Sequence, residues 1–458
     1  MIENDAFKLL LINLFHLNPD DITNIVCTTF NKMMVLLVTL ADKHQACPYC
    51  GFTAPKIKEY VTKEITHSAL TTQKCIIKYR ARRYKCSCCG KTYYEFNPFV
   101  FKSQKISILT VHNILKDLKD FNETFTSVAR RYHVSPTSVS TIFDKHVDIG
   151  RNPLPEIINF DEVYAFKSEK SKYVCVLLDF KKQIPVDVLP NRKKEYLLNY
   201  FQKIPLEERK KVKYACSDMY EVYRDVVHKV FPSCCMLLDY FHLSQDFHRK
   251  MNEVRIKVMK GYKDNKASDE YYLLKKFNWL LFKNPEDEDK YGRLFDVERE
   301  RKYNSHFKSY MNYYDLRKKL LEINNDLTIC YSLKLELVDF YSKSTIDNAQ
   351  VNLEHLIRSC IDTNIEEMIA FSNNLINWKQ EIINSFTIVG TEYKVEADKG
   401  QVVVCNKKVN NAIIENRNKI IKCIKNNANG YTNWSRFRNR VMYVLDPSAT
   451  FSLEPREK

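Results

Sequence analysis

The chain has 458 residues, and its 72 Lys and Arg against 56 Asp and Glu give a formal net charge of +16. Its hydrophobic content of 45% excludes a mostly disordered protein. The sequence contains no apolar run of membrane-spanning length, no basic signal-peptide start and no glycine-rich phosphate loop among its 8 Gly, which argues against membrane, secreted and nucleotide-loop proteins. We therefore expect a cytoplasmic protein of several domains without a membrane partner.

Two cysteine turns in the first hundred residues have the spacing of a metal site. The four cysteines of these C-x-x-C turns are Cys47, Cys50, Cys86 and Cys89. Two such turns present four thiolates to one ion, the tetrahedral set that Zn²⁺ prefers. Cys88 is an alternative ligand in the second turn, and reduced cysteines in ordinary turns are the other interpretation. We predict one structural zinc in a zinc-ribbon-like β domain over residues 1–100, with a hairpin between the turns.

A basic stretch overlaps the second cysteine turn. From Lys74 to Lys91 there are seven Lys and Arg and no acid, with tyrosines interleaved and following. Cations beside aromatic rings suit a phosphate backbone, so this stretch predicts a surface that contacts DNA, with an ordinary solvated face as the alternative. The candidate contacts are Arg80, Arg82, Arg83 and Lys85.

Residues 101–152 are predicted to be helical, with a helix-turn-helix over residues 125–143. Apolar residues recur on one side of both helices, and Ser135 followed by Pro136 is a strong start signal for the second helix. The opposite side of that helix would face a DNA groove, whereas a plain helical hairpin is the alternative. The candidate groove contacts are Thr137, Ser138 and Thr141.

Residues 153–240 change to short apolar strands, in the order three strands, a helix, a strand, a helix and a strand. This is the element order of an RNase H-like fold, in which the first and fourth strands are neighbours. Asp161 ends the apolar run of the first strand and Asp218 follows the fourth, so we expect their carboxylates to meet. Converging carboxylate oxygens suit Mg²⁺ or Mn²⁺, and ordinary strand-end acids are the alternative. Glu162 is predicted to point to the opposite face of its strand.

Residues 241–390 have the period of long amphipathic helices, which predicts a large all-α insertion in the RNase H-like core. At its start, Asp239 follows the fifth strand near the same sheet edge; a helix N-cap is the favoured interpretation, and a fourth member of the carboxylate site is the alternative. His242 is interpreted as a structural or DNA-contacting residue in preference to a metal ligand.

The second part of the core is predicted over residues 391–458, where a helix carries Glu415. Asn411, Asn418 and Lys422 share its polar face. The segment after Glu415, up to residue 445, contains seven Lys and Arg and no acid, a setting that suits a metal-binding carboxylate beside phosphate; a helix-face ion pair is the alternative. The basic candidates for DNA contact are Arg417, Lys422, Arg436, Arg438 and Arg440.

Taken together and in this order, the motifs resemble bacterial insertion-sequence transposases of the ISL3 family, which are DDE transposases. The resemblance covers most of the chain. Besides the helix-turn-helix, it is carried by Arg82-Arg83-Tyr84-Lys85-Cys86, Phe160-Asp161-Glu162, Ser217-Asp218 with Tyr223, Asp239-Tyr240-Phe241-His242, Trp378-Lys379-Gln380-Glu381-Ile382, Asn411 to Lys422, and Gly430-Tyr431 to Arg440.

The resemblance implies a transposase that binds the terminal inverted repeats of an insertion sequence and cuts and joins DNA strands. Asp161, Asp218 and Glu415 would hold two catalytic Mg²⁺ or Mn²⁺ ions, beside one structural Zn²⁺. The implied partners are double-stranded DNA, as transposon ends and target, and further copies of the chain in a homodimer or higher oligomer. In the cell, the DNA-bound protein would be associated with the nucleoid. The alternatives are a catalytically inactive transposase-derived DNA-binding regulator and a metal nuclease without strand transfer.

Overall fold

The computed structural model describes residues 2–43, 46–70, 72–102, 104–166, 171–395 and 402–456. A helix and a β-sheet come first, followed by three short helices, a second five-stranded sheet, a long helical region, and two helices that return to the second sheet. Within the ranges given, no helix is both long and apolar enough to cross a membrane.

The N-terminal region is a five-stranded sheet with one helix packed on it. Its elements are α1 (Ile2–Leu14), β1 (Ile22–Phe30), β2 (Met33–Leu40), β3 (Lys56–Thr66), β4 (Cys75–Lys85) and β5 (Thr92–Tyr94). The strand order is β1-β2-β4-β3, with β5 paired to β4. The predicted hairpin between the cysteine turns is confirmed, because β3 and β4 pair antiparallel along their length. Leu11 and Ile12 of α1 pack with Leu36 and Ile77 of the strands.

Three short helices follow, each preceded by a Ser or Thr that caps it. They are α2 (Ile108–Asp117), α3 (Phe125–Arg131) and α4 (Pro136–His146). The turn between α3 and α4 passes through His133 at φ 54°. Ser135 accepts a hydrogen bond from the backbone of Ser138 at the start of α4, as expected for a cap. Val128 and Val139 belong to the buried core between the helices.

The second sheet lies at the centre of the chain. Its elements are β6 (Ile157–Val163), β7 (Val174–Asp179), β8 (Pro185–Leu189), α5 (Lys194–Gln202), α6 (Leu206–Arg209), β9 (Tyr214–Ser217), α7 (Glu221–Val230) and β10 (Cys235–Leu238). The strand order is β10-β9-β6-β7-β8, in which β6, β7 and β8 are antiparallel while β9 and β10 run parallel to β6. Leu197, Phe201 and Val226 of α5 and α7 cover one face.

The long helical region packs around its own core, which includes Phe247, Leu320 and Leu356. Its elements are α8 (Tyr240–Lys260), α9 (Asp269–Lys276), β11 (Glu288–Asp289), β12 (Gly292–Arg293), β13 (Lys302–Asn304), β14 (Ser309–Met311), α10 (Tyr313–Glu322), α11 (Asn325–Lys343), α12 (Ala349–Asp362), α13 (Glu366–Asn377) and α14 (Lys379–Asn384). The prediction of an all-α insertion is wrong over residues 288–311, which form two β-hairpins. The chain turns there through Gly292 and Lys308, at φ 98° and 48°, where a helix cannot continue.

The last elements return to the central sheet. They are β15 (Ile388–Val395), β16 (Val402–Lys408), α15 (Ala412–Asn427) and α16 (Trp434–Leu445). Before the Glu415 helix, β15 and β16 form a hairpin, of which residues 396–401 lie outside the described residues. Ile414 and Ile421 of α15 and Phe437 of α16 pack against the face of the sheet opposite α5 and α7. The central sheet is therefore enclosed between two helical layers.

Candidate active site

Three aspartates lie at the same level on three neighbouring strands of the central sheet. The parallel register of β6 with β9, extended to the ends of the strands, places Asp161 level with Asp218. The register of β9 with β10, extended in the same way, places Asp218 level with Asp239. Because parallel strands end at the same edge of a sheet, these carboxylates share one edge, which is where α/β sheets bind their ligands.

Asp161 is 9% exposed and lies beneath α15. Its Oδ1 accepts a hydrogen bond of 2.7 Å from the backbone of Glu162, and its Oδ2 accepts one of 2.7 Å from the side-chain amide of Asn418. Burial raises the pKa of Asp161 to about 7, and the charges of Asp218 and Glu162 act in the same direction. A cation at this edge would stabilise the charged form.

Asp218 lines a cavity and has a buried oxygen without a hydrogen-bond partner among the described residues. Burial raises its pKa, while the charges of His242 and Arg192 act in the opposite direction. Within the described chain, the buried Oδ1 of Asp218 has no hydrogen-bond partner. Asp218 and His242 both line a cavity of about 380 Å³. Buried polar atoms are normally paired, so this oxygen is suited to a ligand that enters the cavity.

Glu415 reaches the same edge from α15, where it faces Asp239 and His242. The Nε2 of His242 lies 3.9 Å from Oδ2 of Asp239 and 3.9 Å from Oε1 of Glu415. Ligand atoms of these three residues lie within 4.8 Å of one another, and among the described residues Asp161 and Asp218 do not join that group. The tightest cluster thus contains one of the three predicted carboxylates together with Asp239, for which the sequence favours a helix N-cap, and His242, for which it favours a structural or DNA-contacting role.

Asparagine side chains hold α15 against the central strand. Asn411, at the start of α15, donates to the carbonyl of Phe160 at 3.3 Å and accepts from Asn159 at 2.7 Å. Asn418, two turns later, donates to Asp161. Asn411 and Asn418 of the predicted polar face therefore lie against β6, and their bonds to β6 set the height at which Glu415 meets the sheet edge.

Arg192 is a candidate site residue that the sequence analysis missed. Its guanidinium lies 4.6 Å and 4.7 Å from the ring centroids of Tyr173 and Tyr220. It forms an ion pair with Glu162, which also accepts a 3.2 Å hydrogen bond from the hydroxyl of Tyr223. Glu162 therefore points towards α7 and away from α15, as predicted. A single Arg after a strand carries no distinguishing signal in one sequence, because its neighbours come from distant segments.

Comparison with known proteins identifies the family. The family model for ISL3-type DDE proteins, described as a transposase, matches residues 158–397, just over half of the chain. The chain belongs to this family of transposases. It is also similar to the transposase for insertion sequence element IS1001 of Bordetella parapertussis, with 19% identity over 409 residues that cover 89% of this chain and 90% of that protein. Membership implies an enzyme that transposes DNA.

In this transposase, four cysteine thiols meet at one point of the N-terminal region. The Sγ atoms of Cys47 and Cys89 are 3.7 Å apart, and those of Cys50 and Cys86 are 3.5 Å apart. All four lie within 4.8 Å of one another, whereas the exposed Cys88 is outside this group of described cysteines. Four thiolates about 2.3 Å from a tetrahedral ion would be about 3.8 Å apart, so the group fits Zn²⁺.

The backbone of the two cysteine turns explains their sequence. Each turn ends at a glycine in the left-handed region, Gly51 at φ 75° and Gly90 at φ 68°. Hydrogen bonds from the backbone amides of Cys89 and Cys88 hold the pKa of the Cys86 thiol down, at about 7. A thiol with a low pKa provides the thiolate that a metal ion needs.

Four of the five basic residues of β4 are predicted DNA contacts, and they divide into two pairs. Arg80 and Lys85 are exposed. Arg82 is largely buried, with an ion pair of 2.8 Å to Glu95 and hydrogen bonds to two backbone carbonyls. Arg83 pairs at 2.6 Å with a glutamate of the adjacent strand β3. Of these four predicted contacts, Arg80 and Lys85 are therefore the accessible cations, while Arg82 and Arg83 hold the sheet together.

The three arginines of α16 form hydrogen bonds and ion pairs within the protein. Arg440 is 1% exposed and donates to two backbone carbonyls before α3, at 2.7 Å and 2.8 Å. The prediction that Arg440 contacts DNA is therefore wrong, because its guanidinium is buried and a phosphate cannot reach it. Arg436 and Arg438 are paired at 2.6 Å with Asp144 of α4 and Asp187 of β8. All three arginines therefore join α16 to the rest of the transposase.

The remaining predicted DNA contacts lie at or near the surface. Thr137 and Thr141 of α4 and Lys422 of α15 are exposed. Ser138 and Arg417 are half-buried, and Arg417 donates to the carbonyl of Gln183 at 3.1 Å. The structure thus keeps the outer side of α4 accessible to a ligand.

Proposed function

We propose that this transposase binds the terminal inverted repeats of an insertion sequence and catalyses divalent-metal-dependent cleavage and joining of DNA strands. The observation that supports the proposal is that Asp161 and Asp218 are level at one sheet edge, against which the helix that bears Glu415 packs. Burying acids beside one another costs free energy unless a ligand neutralises them. Such an arrangement is typical of a functional site, and the family supplies the reaction.

The proposed catalytic core is RNase H-like. Three antiparallel strands followed by two parallel ones, enclosed by helices, support this proposal. We propose that the domains are a zinc-ribbon-like domain, a helix-turn-helix domain, the first part of the core, a largely helical insertion and the second part of the core. Their boundaries are proposed at residues 1–100, 101–152, 153–240, 241–390 and 391–458.

Asp161, Asp218 and Glu415 are proposed to hold Mg²⁺ or Mn²⁺. The donor set fits, because carboxylate oxygens are the ligands that these ions prefer, and Oδ1 of Asp218 lacks a partner within the described residues. When bound, the ions would make water, and then a DNA 3′ hydroxyl, a better nucleophile towards phosphorus. The chain's own task is positioning: Asn418 and the amide of Glu162 orient both oxygens of Asp161.

DNA ends are proposed to bind along the helix-turn-helix and the exposed cations. The exposed side of α4 would enter a major groove, where hydroxyl and methyl groups contact base edges. The net charge of +16 favours association with DNA phosphates. Two transposon ends and a target would be held by a homodimer or higher oligomer. The proposed contacts are Thr137, Ser138, Thr141, Arg80, Lys85, Arg417 and Lys422.

The test uses the full-length protein and a supercoiled donor plasmid that carries the insertion-sequence ends. Asp161→Asn, Asp218→Asn and Glu415→Gln should each abolish cleavage in Mg²⁺ or Mn²⁺ while end binding in a gel-shift assay is retained. Asp225→Asn is the matched control, because Asp225 is an exposed acid on α7, and it should cleave normally.

Other outcomes of this assay would indicate other functions. A wild-type protein that binds ends and never cuts them would be a DNA-binding regulator. Cleaved ends that are never joined to target DNA would indicate a nuclease without strand transfer.

A further inference from the structure

We propose that Asp239, His242 and Glu415 form a site for a first-row transition-metal dication, with the imidazole of His242 as a ligand. Asp239 and His242 lie three residues apart at the start of α8, so both side chains are on one side of its first turn. Glu415 comes from α15 on the other side of the cluster. The inference rests on the proposed function only in that Glu415 is shared with the catalytic carboxylates.

The distances in the cluster are those of ligands around one ion. Two ligand atoms bound about 2.1 Å from the same ion lie about 3 Å apart at a right angle and about 4.2 Å apart when opposite. The Nε2 of His242 is 3.9 Å from an oxygen of Asp239 and 3.9 Å from an oxygen of Glu415. Both separations fall inside that range, and all three ligand atoms lie within 4.8 Å of one another, so small side-chain movements would let one ion contact all three.

The same distances are too long for hydrogen bonds, which end at about 3.2 Å for nitrogen and oxygen. The Nε2 of His242 is buried and has no hydrogen-bond partner among the described residues. Asp239 is 3% exposed, and its carboxylate accepts hydrogen bonds from the backbone amides of Asn411 and Phe241. A purely structural role for His242 would pair its Nε2, as buried polar atoms normally are paired. A bound cation would satisfy this nitrogen and neutralise the buried carboxylate of Asp239.

Two cavities give an ion access to the cluster. Asp239 and Glu415 line a cavity of about 670 Å³, and His242 and Asp218 line the neighbouring one of about 380 Å³. The proposed ion would therefore lie beside Asp218 and be reachable from solvent. This position also lets the ion neutralise charge at the sheet edge where we propose that DNA reacts.

The imidazole decides which ion the site prefers. Mg²⁺ and Ca²⁺ favour oxygen ligands, whereas Mn²⁺ and the later first-row dications accept imidazole nitrogen. A cluster of two carboxylates and one imidazole should therefore bind Mn²⁺ more tightly than Mg²⁺. Mn²⁺ is also paramagnetic, so the nitrogen ligand itself can be detected.

The experiment titrates Mn²⁺ into the full-length protein after its thiolate site has been filled with zinc. Pulsed electron paramagnetic resonance should show coupling of bound Mn²⁺ to ¹⁴N. Labelling all histidines with ¹⁵N should replace that signal with a coupling to ¹⁵N. His242→Gln should remove the coupling and weaken Mn²⁺ binding by about tenfold or more. His228→Gln, at an exposed position on α7, is the matched control and should change neither.

The wild-type measurement decides the inference even if His242→Gln fails to fold. Wild-type protein that binds no Mn²⁺, or binds it without nitrogen coupling, would overturn the site, as would coupling that persists in folded His242→Gln. Plasmid cleavage separates this result from the proposed function. If cleavage still requires Asp161, Asp218 and Glu415 while no nitrogen coupling is found, the transposase mechanism stands and the imidazole ligand is excluded.

Discussion

The side-chain amide of Asn418 donates a hydrogen bond of 2.7 Å to Oδ2 of Asp161, which joins helix α15 to the central strand β6. Glu415 lies one turn earlier on the same helix and on the same side, so this bond also sets its position relative to Asp161. An amide that donates to a carboxylate favours the charged form. Asn418 is therefore a positioning residue for two of the proposed metal ligands.

Asn418→Ala should slow DNA cleavage by about tenfold to a hundredfold, the usual effect of removing a group that orients a metal ligand. The cleavage rate at saturating DNA should fall, and the dissociation constant for ends should not change, because Asn418 is buried away from DNA. Single-turnover cleavage and gel-shift titration measure the two quantities. Asn416→Ala, at an exposed position of the same helix, is the control. Equal losses in both variants would remove the positioning role.

The cysteine cluster predicts one zinc per chain, which metal analysis of freshly reduced protein would detect. Cys47→Ser should lose the metal and unfold the N-terminal sheet, because the three remaining thiolates no longer hold the ion that links the two cysteine turns. Cys88→Ser should keep the metal, because Cys88 is exposed and outside the cluster. Circular dichroism would follow the loss of β-structure. If Cys47→Ser retained zinc and Cys88→Ser lost it, Cys88 would be a zinc ligand and Cys47 would not.

The outer side of α4 predicts where sequence preference arises. Thr137→Ala should reduce discrimination between end DNA and random DNA by about 1 kcal/mol, roughly fivefold, because a contact to a base edge is lost. Thr126→Ala, an exposed change on α3, should leave discrimination unaltered. Competition gel shifts at fixed salt compare the two. If Thr137→Ala weakened both DNAs to the same extent, α4 would not be the recognition helix.

Arg440 and Lys422 should respond in opposite ways to substitution. Arg440→Ala removes a fully buried side chain and leaves two backbone carbonyls without their donor, so it should lower the free energy of unfolding by about 3 kcal/mol. It should not change the salt dependence of DNA binding. Lys422→Ala should leave stability unchanged and reduce the slope of log K against log salt by about 1, because one phosphate contact is lost.

Denaturant unfolding and binding across a salt series separate these two roles. If folded Arg440→Ala protein showed a reduced salt slope, Arg440 would have to be a DNA contact.

The sequence alone determined the features that depend on local spacing. Two residues between cysteines bring both thiols to one side of a turn, so the group of four cysteines could be predicted before any fold was known. Period-two and period-3.6 patterns likewise predicted the order of the strands and main helices between Ile157 and Leu238. Asp161 and Asp218 could be paired because strand order places their strands side by side.

Only the tertiary structure decided which groups meet across long stretches of chain. Asp239 and His242 are ordinary residues at a helix start until α15 brings Glu415 to 3.9 Å from the imidazole. Arg440 has the same chemistry as an exposed arginine, and its burial depends on how α16 packs against the segment before α3. Local sequence sets backbone conformation through short-range forces, whereas the partner of a polar side chain depends on the packing of distant elements.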